Sequence, residues 1–222
     1  MAGGGMSMTW MRMDGQSWAG AMASFVAMWT VMMAAMMLPS LVPMLHRYRV
    51  AIGRVSAGRA AFLTALVALG YFAVWSALGA MVFPLGLMLA NAELRLTALA
   101  RIAPVGAGVV VLLAGAMQLT RWKAHHLAWD RREFARARAT SANVAMALRH
   151  GISLGVHCGY CCAGFTASLL AFGVIDLRMM AVVTAAITAE RVAPDGARAA
   201  RAIGVAGIVT GTLLIACAVG SG

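Results

Sequence analysis

Apolar residues run through this chain in blocks of about twenty, separated by short clusters rich in Arg, Gly and Pro. Blocks of that length, without the alternation of a strand, predict α-helices able to cross the hydrocarbon layer of a bilayer. Six can be drawn, at Trp18–Leu38, Ala60–Val82, Ile102–Leu119, Gly151–Phe172, Leu177–Ala189 and Ala202–Val219. The fifth is short, and either borrows Glu190 to Ala193 or tilts less than its neighbours. Pro39 and Pro43 are expected to end the first helix. The pattern predicts an all-α, polytopic transmembrane helix bundle: a short extracytoplasmic tail (1–17), then one six-helix membrane domain (18–219) with a basic cytoplasmic loop at 120–150.

Composition strengthens this reading. At 62% hydrophobic and 11% charged, with a mean hydropathy of +0.84, the chain is too apolar for a water-soluble domain. The tail lacks the basic start and small-residue cleavage site of a secretory signal, so the first span is expected to be retained. A net charge of +11 would suggest nucleic acid in a soluble protein. Here the basic residues gather between apolar blocks, which fits anionic lipid headgroups, and no nucleic-acid partner is expected. Arg47, Arg49, Arg54 and Arg59 fall in the first loop. Arg121, Lys123, Arg131, Arg132, Arg136, Arg138 and Arg149 fall in the third, and Arg191, Arg198 and Arg201 in the fifth. Only Arg12, Arg95, Arg101 and Arg178 lie on the other side. The positive-inside rule then puts both termini outside.

Sulfur changes the picture from scaffold to chemistry. His157, Cys158, Cys161 and Cys162 occupy one helix-length stretch and share an arc of about 140°, one patch on the helix. Thiolate and imidazole are ligands for soft and borderline ions, copper first and zinc second. The competing reading is inert packing, since buried free Cys behaves as a small hydrophobe. Neighbouring helical turns rarely satisfy disulfide geometry, so no disulfide framework is expected. Cys217, alone near the end of the last span, reads as core.

The first span adds a thioether face. Met28, Met32 and Met36 recur every four residues, with Met33 and Met37 one position on. Thioethers bind Cu(I) and discriminate against hard cations, although a Met stripe also packs well. Met32, Met33, Met36 and Met37 are the candidate secondary or relay ligands. His126 and Asp130, at i and i+4, form a candidate exit site. His150 and His157, two turns apart, are placed to line a path from the cytoplasm. Gln118 is a candidate interhelical hydrogen-bond donor. Glu190 is expected to pair with Arg191 at the membrane edge, and Trp122, Trp129 and Phe134 to mark an interfacial amphipathic segment.

Four stretches carry a resemblance: Ala27-Met-Trp-Thr-Val-Met-Met-Ala-Ala-Met-Met-Leu-Pro-Ser40, Ala114-Gly-Ala-Met-Gln-Leu-Thr120 with Lys123, Cys158-Gly-Tyr-Cys-Cys162, and Glu190-Arg-Val-Ala-Pro-Asp-Gly196. In this order they resemble a bacterial family of predicted metal-binding integral membrane proteins, a domain of unknown function, over roughly residues 20 to 200. The resemblance implies a six-helix protein of the bacterial inner membrane with a metal site and no assigned reaction. Family members often carry Cys-Leu-x-x-Cys-Arg after the third span. Here that stretch reads His126-Leu-Ala-Trp-Asp-Arg131, a harder donor set that shifts preference from Cu(I) toward Zn(II), and a Trp that usually follows the paired Cys is Ala163.

The leading expectation is a membrane protein that binds or relays a soft metal, copper first, through its Cys/His/Met set. The alternative is a non-catalytic accessory or assembly subunit of a larger membrane complex, such as a copper- or haem-containing oxidase or monooxygenase, with other membrane-protein subunits as partners. A thiol–disulfide oxidoreductase is a third reading, and it needs a Cys pair near an interface. No soluble catalytic domain is expected.

Overall fold

The computed structural model describes residues 15–52, 55–95, 97–126, 143–172, 176–193 and 195–220. Six helices follow in chain order: α1 Trp18–Ala51, α2 Ala57–Arg95, α3 Thr97–Gln118, α4 Val144–Phe172, α5 Leu177–Val192 and α6 Gly196–Gly220. A shorter helical stretch at 121–126 follows α3, and there is no strand among the described residues. Four helices are long and apolar enough to cross a membrane: α1, α4, α6, and α2 over Ala57–Ala92. The apolar part of α3, Ile102–Gln118, is shorter, and α5 has only 16 residues.

Every helix except α1 and α5 begins earlier than its apolar block. A drop in hydropathy marks where a helix leaves apolar surroundings, whereas the helix itself continues to its cap. Ser17 caps α1, accepting from the Gly20 amide at 3.1 Å. Asp176 caps α5, accepting from the amides of Arg178 and Met179 at 2.8 and 3.2 Å. Pro39 and Pro43 do not end α1, which continues to Ala51. Each proline removes one backbone bond, and packing of Leu41, Met44 and Tyr48 into the core holds the helix together beyond them.

Neighbouring helices alternate in direction. The ring nitrogen of Trp29 on α1 donates to the Trp75 carbonyl on α2 at 3.0 Å, and Phe25 packs on Phe83 further along. The parallel pair α2 and α4 approach closely. A methyl group on Gly151 would fall on the Val67 carbonyl, and one on Gly155 would lie 2.9 Å from the Tyr71 carbonyl. Only glycine allows the two backbones to touch there. The core of α1, α2, α4 and α5 holds Trp29, Met33, Met37, Leu41, Leu63, Val67, Tyr71, Trp75, Cys158, Cys162 and Ile187.

The outer surface is apolar. Val31, Met81, Met88, Leu177 and Val219 are each two-thirds or more exposed. The most apolar window of the four candidate spans, in α6, is only 11% buried. A chain built for water would show the opposite relation.

Candidate metal centre

Packing of α2 against α4 at Gly151 and Gly155 sets Tyr71 opposite Cys158, whose Sγ accepts the tyrosine O–H at 2.9 Å. Cys158 is the fifteenth of the 29 residues of α4, midway along it. One helical turn on, the Sγ of Cys162 lies 3.8 Å from that of Cys158. From α1, the thioether of Met37 approaches Cys158 Sγ at 3.9 Å. Three of the sulfurs expected from sequence are therefore in one layer. Cys158, Cys162, Met37 and Tyr71 are all 2% exposed or less.

These separations suit a soft ion. With metal–sulfur bonds of about 2.3 Å, sulfurs 3.8 to 3.9 Å apart subtend roughly 110–115° at a shared ion, between tetrahedral and trigonal. The same spacings are ordinary S–H···S contacts while the thiols keep their protons. Among the described residues no three His, Cys, Asp or Glu side chains are grouped to hold a metal. The third donor in this layer is a thioether, which favours Cu(I) over harder ions.

Around the sulfurs lies a buried polar set. Lys123, at the start of the stretch beyond α3, pairs with Glu190 of α5 at 2.8 Å, both side chains 3% exposed. Gln118 donates to the other carboxylate oxygen at 2.8 Å. Lys123 also donates to the Cys161 carbonyl at 2.6 Å and lies 5.3 Å over the Phe165 ring. Two expectations are thereby corrected. Lys123 is in the core and not in a solvated loop, and the ion-pair partner of Glu190 is Lys123 and not Arg191. A carboxylate buried this deeply needs direct donors, and α3 supplies two. Arg191 donates to the thioether of Met44 at 3.7 Å.

The imidazoles form a second group. The Nδ1 of His157 donates to the Ser153 carbonyl at 2.9 Å. The His157 ring lies 5.5 Å from that of His126, and His126 packs against Trp122 and Tyr160. His157 thus turns toward the stretch at 121–126. His150 stacks on Tyr48. Met32, Met33 and Met36 are buried in the same core as the thiols, as is Cys161, while Cys217 is exposed. Asp130, Trp129 and Phe134 lie outside the described residues, so the pairing of His126 with Asp130 does too.

Tyr71 was not among the residues expected here. Its signal was a hydroxyl in an apolar helix, which needs a partner when buried. Gly151-Ile-Ser-Leu-Gly155 spells the Gly-x-Ser-x-Gly of a hydrolase elbow, but the stretch is continuous helix and lacks the strand-to-helix turn that exposes such a serine. The buried thiols lack the access that a thiol–disulfide exchanger requires.

Met37, Gln118 with Lys123, Cys158 with Cys162, and Glu190 with Arg191 come from the four stretches that carry the family resemblance, and they meet around one layer. Fold and layer together define a class: an all-helical bundle with soft sulfur donors and a buried ion pair at its centre. The chain belongs to the PpoB2 family, whose model, described as copper chaperone, matches residues 26–214. The family's description supports the metal-related character expected from the sequence, with copper as the associated metal of the family. Comparison with curated proteins and with solved structures finds no match.

Proposed function

We propose that this chain is a multi-pass protein of the bacterial inner membrane that holds Cu(I) as cargo between Cys158, Cys162 and Met37 and passes it to a partner. The observation that carries the reading is the approach of Cys162 and of Met37, from two helices, to the Cys158 sulfur at 3.8 and 3.9 Å, separations a soft ion would bridge. Family membership supports copper, and nothing found favours zinc. The apolar outer surface supports a bilayer setting, with the basic loops in the cytoplasm and both termini outside as the charge bias predicts. On this reading α3 and α5 complete six crossings.

Met32, Met33 and Met36 are relay donors along α1, where thioethers bind weakly enough to release an ion. His126 and His157 form a neighbouring station. Cys161 anchors Lys123 through its carbonyl and is a reserve thiol. The accessory-subunit reading becomes a statement about the recipient: a copper enzyme of the same membrane would receive the ion.

The test is metal analysis of protein purified in detergent and loaded anaerobically with Cu(I). Wild type should retain stoichiometric copper, and Cys158→Ser/Cys162→Ser should lose it. Equal copper in both would end the proposal.

A further inference from the structure

The buried ion pair has no role in holding sulfur, yet it sits beside the thiols. Lys123 and Glu190 bond at 2.8 Å with 3% exposure each. Lys123 is tied to the thiol-bearing helix through the Cys161 carbonyl. Arg191, next along α5, reaches Met44. Lys123 thus reaches the residue that precedes Cys162 on α4, and Arg191 follows Glu190 on α5.

We propose that Lys123, Glu190 and Arg191 fix the charge of the sulfur layer so that it selects a monovalent over a divalent soft ion, with Lys123 as a specificity-determining residue. This rests on the sulfur-site reading above and deepens it. The formal charges of the three groups sum to +1. Two thiolates bring the site to −1. A monovalent ion then completes a neutral cluster, whereas a divalent ion of equal softness leaves a net charge of +1. In a low-dielectric interior an uncompensated charge is strongly disfavoured, so the surplus cation discriminates on charge where sulfur discriminates only on softness. Thiolates alone do not separate Cu(I) from Zn(II) or Cd(II), since they bind all three.

The layer itself holds Tyr71 from α2, Met37 from α1 and Cys158 and Cys162 from α4, and beside it lie Lys123 on the Cys161 carbonyl, Glu190 with Gln118 on its carboxylate, and Arg191 with Met44. Substitution of Lys123 alone lowers the sum to zero and should invert the preference. Removing both members of the pair restores the +1 of Arg191 and should restore it.

The experiment measures the Ag(I)-to-Cd(II) affinity ratio by competition in detergent at fixed pH, for the full chain. Both ions are soft and d¹⁰, and they differ in charge. Lys123→Gln keeps a hydrogen-bond donor and is expected to lower the ratio about tenfold or more. Lys123→Gln/Glu190→Gln should return it to near the wild-type value, and Glu190→Gln alone should raise it. If Lys123→Gln fails to fold, the opposite shift in Glu190→Gln carries the test. A wild type that binds Ag(I), with a ratio indifferent to all three variants, overturns the charge assignment alone. A wild type that binds neither ion overturns the sulfur-site reading and this one with it.

Discussion

Replacing Tyr71 by Phe removes one oxygen and leaves the ring in place. In the structure that oxygen donates to Cys158 Sγ at 2.9 Å, with both residues fully buried. A neutral hydrogen bond of this kind contributes about 0.5–1.5 kcal/mol and one to a charged acceptor about 1.5–3 kcal/mol. Without metal the acceptor is a thiol sulfur; with Cu(I) bound it is a thiolate. The variant therefore loses about 1–1.5 kcal/mol more from the loaded state than from the empty one, so Cu(I) should bind roughly five- to tenfold more weakly. The assay is competition against a chromophoric Cu(I) chelator under anaerobic conditions, with helicity by circular dichroism as the folding control. A folded Tyr71→Phe protein with wild-type affinity would refute the assignment of Cys158 as a thiolate ligand.

Two further outcomes follow from the geometry. Gly151→Ala puts a methyl group on the Val67 carbonyl; separating α2 from α4 should cost about 3 kcal/mol, lower the melting temperature by about 6–12 °C and reduce copper retention although no donor is touched, as thermal unfolding and metal analysis would record. Cys217→Ser, on the exposed side of α6, should leave copper content unchanged in the same metal analysis, and a loss there would place the thiol site wrongly.

The helices were legible because lipid-length apolar blocks have few alternative readings, and the all-α class followed from them. Their ends were not, since Pro39 and Pro43 are tolerated where core packing on both sides outweighs two missing backbone bonds. Soft chemistry was legible in the residue types of Cys158, Cys162 and Met37. Their meeting was not, because it depends on the glycine contact that brings α2 to α4 and on the rotation of α1. Lys123 misled most: a cation just past an apolar block reads as solvated, and nothing nearby in sequence announces a carboxylate on α5. His157 shared the arc of the thiols on a helical projection, but the stretch at 121–126 gives its ring another neighbour.

The sulfur layer opens onto no channel that the described residues reveal: Met37, Tyr71, Cys158 and Cys162 are at most 2% accessible. An ion lodged there is walled in by helix backbones, and its departure waits on a displacement of the bundle. Residence time in such a vault is governed by how often α1 and α2 part from α4, so a docking partner that pries them apart could hasten delivery without ever weakening a metal–sulfur bond.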